Sequence, residues 1–218
     1  VLPNDETNRG SACEVTVIGQ NNGEDESESW LIFKRPVDVP NPSDDGPRQV
    51  PIEIAFRLQW NEKEQREEVA RTKDSPLVVF FPTEKETRFG FLIQGPYRTT
   101  PARDNIPKED DWNATLVNET SCLMADVLPQ LKDLGLLSVS LLEALPIRAD
   151  DFPEDGMFYP IFDAVRNALL TQDLLPADDG SFVSARNAKL ARGADLRKLL
   201  DHEQLRKLFQ SDATVEWL

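Results

Sequence analysis

The sequence predicts an α+β fold (an α/β sandwich): a mostly antiparallel sheet followed by a helical region. Three observations carry this. Runs of apolar and β-branched residues dominate the first half of the 218-residue chain, and residues 50–60 alternate with the period of a half-buried strand. After Trp112 the apolar residues recur at helical spacing instead. No long amphipathic helix separates the early strands, so they close by hairpins rather than by parallel crossovers. The change of character divides the chain into a β-rich region, 1–110, and a mainly helical region, 111–218.

In the first region, CEVTVIG (13–19) and SWLIFKRPV (29–37) read as strands joined by a Gly-Asn-acid loop over 20–29. Residues 36–50 carry several prolines and Asp44-Asp45-Gly46, and read as a mobile loop. VPIEIAFRLQW (50–60) turns Ile52, Ile54, Phe56 and Leu58 inward, with Glu53, Arg57 and Gln59 outward. Residues 61–76 are charged all round and are expected as a solvated excursion. LVVFF (77–81) and the run 89–94 are expected as neighbouring antiparallel strands joined by a polar turn, 82–88. Gly95-Pro96 then opens a loop that carries Arg98 and Arg103.

In the second region Asn113 reads as the N-cap of a helix bearing Leu116, Val117, Thr120, Leu123, Met124, Val127 and Leu131. Pro129 is expected to kink or end it. Residues 138–147 give a short helix opening at Ser138 or Ser140, and 158–172 a third. A short hairpin is expected near 174–183, then two short helices split near Asp201, and a strand or extension at 213–218. Phe152, Phe158, Tyr159, Phe162 and Trp217 read as core.

Composition excludes several functions. A net charge of −15 argues against an open nucleic-acid or anionic-membrane surface, although residues 186–197 form a local basic stretch. Cys13 and Cys122 lie far apart, which suits a reduced, cytoplasmic chain. No apolar run is long enough to cross a bilayer. The phosphate-cradling glycine motifs are missing, as is a nucleophile elbow. The sole histidine, His202, has no second histidine or cysteine with which to hold a metal. The acid pairs beginning at 44, 110, 150 and 178 sit in turn-like settings. The opening residues, VLPNDETNRG, lack an initiator methionine and suggest a piece of a longer polypeptide.

What remains is Arg98 and Arg103. Planar guanidinium forks on a proline-bearing loop suit phosphate oxygens. The alternative is surface pairing with Glu84, Glu86 or Asp104. FGFLIQGPYRTTPARDNIP (89–107) resembles the central segment of the ninety-kilodalton heat-shock chaperones and of sacsin-like proteins, both GHKL-type ATPases. The upstream LVVFFPTEKETRFGFLIQG is similar to the sacsin-like and bacterial variants. The resemblance is clearest over 77–106 and extends more weakly over 30–112 and into the helical part. It implies a chaperone-like middle domain in which Arg103, from the pair Arg103-Asp104, reaches the γ-phosphate of ATP, with Arg98 in support. It places ATP and Mg on a separate N-terminal domain of the same polypeptide, with no cofactor in this chain. The further partners implied are client proteins; no nucleic acid or membrane is expected. This chain alone would not hydrolyse ATP. Asn105-Ile106-Pro107 departs from the family pattern, where a helix continues. A rival reading is a non-catalytic protein–protein interaction module of a large multidomain protein.

Overall fold

A long hairpin sets the scale of the sheet. β1 (Ser11–Asn21) and β2 (Glu24–Val39) pair antiparallel from Ser11↔Lys34 to Asn21↔Glu24. The computed structural model describes residues 11–21, 24–39, 48–177, 180–189, 201–208 and 216–217. Much of the loop expected over 20–29 is therefore strand. Its acidic residues have poor strand propensity, but hairpin pairing overrides it. β3 (Arg48–Asn61) pairs with β2 from Val39↔Arg48 to Ser29↔Leu58. Both ends of the expected mobile loop thus join the sheet, with Val37, Val39 and Val50 buried, while 40–47 lie outside the described residues.

β3 buries the predicted set, Ile52, Ile54, Phe56 and Leu58, together with Val50. Each such side chain contributes about 1.5–3 kcal/mol. The expected solvated excursion is corrected in part: after a turn at 62–65 the chain returns as β4 (Arg66–Ala70), antiparallel to β3. Val69, fully buried, is the apolar anchor of that charged strand.

The segment 77–94 differs from expectation. β5 (Pro76–Val79) turns at Phe80, whose φ is +59°, into β6 (Phe81–Glu86), antiparallel to it. The residues expected to form a polar turn are thus a strand. Phe89 and Phe91 cross the core without pairing, and β7 (Leu92–Gln94) then lies between β3 and β5. β5 and β7 are neighbours in one sheet, as expected, but they run parallel. The extra strand reverses the chain once more before it returns. The sheet order is β1-β2-β3-β7-β5-β6, with β4 also on β3.

Helices cover one face. α1 (Asp111–Asp133) packs on β2, β3 and α3 (Tyr159–Thr171), while α2 (Val139–Ala144) packs on β4. The N-cap of α1 is Asp110 rather than Asn113: its Oδ1 accepts from the Asn113 N–H at 3.0 Å. Pro129 neither stops nor shortens the helix, which ends one turn later. There Gly135, at φ +72°, allows Leu136 N–H to reach the Leu131 carbonyl and Gly135 N–H that of Lys132. Ser138 caps α2 as expected.

Sheet and helices share one core running from Leu31 to Leu174. A chain of rings threads it: Phe33, Phe56, Phe91, Phe89, Phe152 and Phe162, with adjacent centroids 4.9–6.2 Å apart. Phe152, Phe158 and Phe162 are core as expected. The predicted hairpin is β8 (Leu175–Pro176) with β9 (Phe182–Val183). β10 (Ala188–Lys189) pairs parallel with β11 (Glu216–Trp217), inside the expected terminal strand. Of the two late helices, the second is α4 (His202–Leu208), and the first falls on residues outside those described. No helix among the described residues is long and apolar enough to cross a membrane.

Candidate functional site

The arginine loop leaves β7 at a tight crossing. Gly95 N–H donates to the Val78 carbonyl at 3.1 Å, and a Cβ at Gly95 would meet the Tyr97 ring at 3.0 Å. Tyr97 is buried beneath the loop, with its hydroxyl 3.1 Å from Thr120 Oγ1 on α1. Burial pushes the Tyr97 phenol up to about 12, against a smaller opposing effect of the Thr120 hydrogen bond.

Asn113 fastens the next residues. It is fully buried; its Oδ1 accepts from Arg98 N–H at 2.8 Å, while its Nδ2 donates to the carbonyls of Arg98 (2.9 Å) and Pro107 (3.1 Å). Trp112 Nε1 donates to the Pro96 carbonyl at 2.9 Å. The start of α1 thus holds both ends of the loop. The sequence marks Asn113 as a cap, and only the fold turns it into the loop's clasp.

The two arginines are engaged differently. The Arg98 guanidinium lies 4.8 Å from the Trp112 ring centroid and pairs with Asp110 Oδ2 at 3.2 Å, so the side chain is folded onto the helix N-terminus. Arg103 sits at φ +59° after a turn in which its N–H donates to the Thr100 carbonyl at 2.9 Å. Its own carbonyl accepts from Glu84 N–H of β6 at 3.2 Å. Its Nη2 donates to the carbonyls of Val79 (2.9 Å) and Phe81 (3.1 Å), clasping the β5–β6 turn. Nε and Nη1 make no hydrogen bond among the described residues, so their N–H donors are not used by the fold.

Asp104 does not pair with Arg103. The Thr100 hydroxyl donates to its Oδ1 at 2.5 Å and holds the carboxyl below the ordinary carboxylate range, aided by backbone N–H groups of Asp104 and Asn105. Neither arginine makes the surface pairs with Glu84, Glu86 or Asp104. Beside Arg103, the turn displays Phe80 and Phe81, 79% and 72% exposed. The pair was visible in the sequence as Phe80-Phe81-Pro82, but it closes the apolar run 77–81 and reads there as a strand end.

Of the described acid pairs, Asp110 touches this site as the partner of Arg98. Asp110 is a cap, and Asp150 and Asp151 lie in a 3-10 turn (Ala149–Asp151). Acid pairs at 44 and 178 lie outside the described residues, and so does most of the basic stretch 186–197. No group of three His, Cys, Asp or Glu side chains among the described residues could hold a metal ion. Comparison with family models, with curated proteins and with solved structures found no match for the chain.

Proposed function

We propose that this chain is the middle segment of a chaperone-like ATPase of the heat-shock or sacsin-like type, working in a reducing, cytoplasmic compartment. Its role is to supply Arg103 to an ATP site on a separate N-terminal domain and to couple hydrolysis to motion of the helices packed behind the sheet. The observation that carries this is the half-committed guanidinium of Arg103. Two carbonyls anchor Nη2, the backbone is fixed on both sides, and the N–H donors of Nε and Nη1 have no partner among the described residues. A fixed cation of that kind costs little reorganisation when it meets the charge that develops on a transferring phosphoryl group. Arg98, stacked on Trp112 and paired with Asp110, suits a supporting role. The two unpaired cysteines, Cys13 and Cys122, suit the compartment.

The test is single-turnover ATPase kinetics in the full polypeptide. Arg103→Ala is expected to slow hydrolysis at least about a hundredfold, roughly 2.7 kcal/mol of transition-state stabilisation. Nucleotide affinity should stay within about twofold, since the arginine acts on the transition state. Arg98→Ala should do less. Equal and small losses at both positions would leave Arg103 a brace for the turn alone.

A second reading has its own observation. Phe80 and Phe81 project from a turn that Arg103 holds closed, and paired exposed aromatics are typical anchors of a protein interface. On that reading the chain is a non-catalytic interaction module. Phe80→Ser with Phe81→Ser would then abolish partner binding, while Arg103→Ala acts only through the shape of the turn.

A further inference from the structure

Beside α2, three segments meet around a cleft of about 290 Å³ that shares no lining residue with the loop just described. Main-chain hydrogen bonds sew them together. Thr72 N–H donates to the Gly90 carbonyl at 2.9 Å, and Gly90 N–H donates to the Ala144 carbonyl at 2.8 Å. Gly90 is required there: a Cβ would lie 2.5 Å from Ala144 Cα. Each segment delivers one arginine to the cleft: Arg71 after β4, Arg88 after β6 and Arg148 after α2. The floor is apolar, with Leu145 and Phe152 buried, and Phe152 stacks at 5.4 Å on Phe89, the neighbour of Arg88.

The three guanidinium groups are only lightly used by the fold. Arg71 Nη1 donates to the Glu143 carbonyl at 2.5 Å. Arg88 Nη1 is 3.7 Å from Asp151 Oδ1, too far for a good hydrogen bond. Arg148 has no side-chain partner among the described residues. Three cations against the two carboxylates of Glu143 and Asp151 make the cleft positive in a chain of net charge −15. Arg88 also holds φ +64°, a conformation that an arginine adopts at a cost and that glycine would adopt freely. Its own N–H and carbonyl make no hydrogen bond among the described residues; the turn is held by Phe89 N–H on Thr87 Oγ1 at 3.3 Å, which leaves the Arg88 side chain turned outward and 65% exposed.

We propose that the cleft binds a compact polyanion bearing phosphoryl groups, of diphosphate size. Each guanidinium can grip two oxygens of one group, so a single carboxylate would leave most of the donors idle. Adjacent phosphoryl groups also carry enough charge to draw Arg88 away from its long contact with Asp151. The cleft lies on pre-assembled main chain, so the ligand need order only side-chain ends. The inference rests on this geometry alone and stands apart from the role proposed for Arg103.

Calorimetric titration of the 218-residue chain with inorganic pyrophosphate, at fixed ionic strength, tests it. Saturable binding is expected, weakened at least about tenfold by Arg148→Ala, the loss of one charge-assisted contact. Arg88→Gly should weaken it similarly while leaving the melting temperature unchanged or raised, which separates loss of ligand contact from loss of fold. Citrate at equal ionic strength should bind more weakly. No saturable heat up to about 5 mM pyrophosphate, equal affinity in Arg148→Ala, or citrate binding as tightly as pyrophosphate would each overturn the proposal.

Discussion

Arg88 and Arg103 both occupy the left-handed region, at φ +64° and +59°, yet their surroundings share little. Around Arg103 the main chain is bonded on both sides and the guanidinium clasps two carbonyls of a neighbouring turn. The strain there is offset by contacts inside the fold. Around Arg88 the side chain is 65% exposed, and its ion pair is long. The conformation is held through its neighbours: Phe89 N–H donates to Thr87 Oγ1 across the turn at 3.3 Å, and Thr87 and Phe89 are both buried. The contrast separates an arginine whose side chain the fold uses from one whose backbone is fixed by its neighbours while its side chain is left nearly free. For Arg103, any catalytic role is added to a structural one, and a mutation there will report both.

The two regions also rest on different foundations, which makes them separable. The Arg88 cleft rests on the seam at Gly90. Gly90→Ala would force a methyl to within 2.5 Å of Ala144 Cα and 2.6 Å of its carbonyl oxygen, and backbone cannot swing aside as a side chain can. The expected loss is about 3 kcal/mol in urea unfolding, at the upper end for overpacking. It should disorder the cleft before the Arg103 loop, so hydrogen exchange should rise first at Thr72 and Gly90. A loss under about 1 kcal/mol would mean that the seam gives, and that the cleft is less rigid than its hydrogen bonds suggest.

The Arg103 loop rests instead on the buried pair of Tyr97 and Thr120, and this gives it an alkaline pH dependence. The Tyr97 phenol titrates near 12 when folded, against an ordinary 10.0. Below pH 10 both states are protonated and its contribution is constant. Between pH 10 and 12 the unfolded chain loses the proton first, so stability falls, by about 2.7 kcal/mol across the window. Tyr97→Phe should cost about 1 kcal/mol at pH 8, for one lost hydrogen bond, but remove that alkaline slope. Unfolding free energies measured at pH 8, 10 and 11 should therefore converge for the two proteins. Parallel curves would show that Tyr97 is not the loop's titrating root.

How much of this was legible in the sequence depends on how local the cause is. The β3 alternation could be read directly because burial there has a period of two and spans five inward residues, Val50 to Leu58. β4 could not, since Val69 is a lone fully buried residue in a charged run. β6 reads as a turn because FPTEKE carries little apolar pattern. It is held by Thr83, buried, whose hydroxyl donates to the Leu77 carbonyl at 2.9 Å. That missed strand also explains why β5 and β7 were expected antiparallel. The arginine loop itself was visible through Gly95-Pro96 and its two arginines. Its clasps were not: Asn113 and the Val79 and Phe81 carbonyls are brought in by topology, with no fixed spacing to betray them. The same holds for Arg71, Arg88 and Arg148, which form no motif in the chain and become a group only when the sheet and α2 are joined at Gly90.

The smallest effect is the most direct test of the contrast. Arg88→Gly and Arg103→Gly each relieve a left-handed side chain, which is worth about 1–2 kcal/mol. Each also adds the unfolded-state entropy of glycine, about 0.5–1 kcal/mol against stability. To that point the two substitutions are equal. They differ in what the side chain was doing: Arg88 surrenders a long, exposed ion pair worth little, whereas Arg103 surrenders charge-assisted bonds to two carbonyls. The carbonyls are partly exposed and recover some bonding from water, so their loss is put at about 1 kcal/mol. Arg88→Gly should therefore leave the protein as stable as before or slightly more so, and Arg103→Gly should fall about 1 kcal/mol below it. Differential scanning calorimetry of the two variants side by side cancels the shared glycine contributions. If the two melt together, the clasp on the β5–β6 turn contributes nothing to stability, and Arg103 is held by its main chain alone.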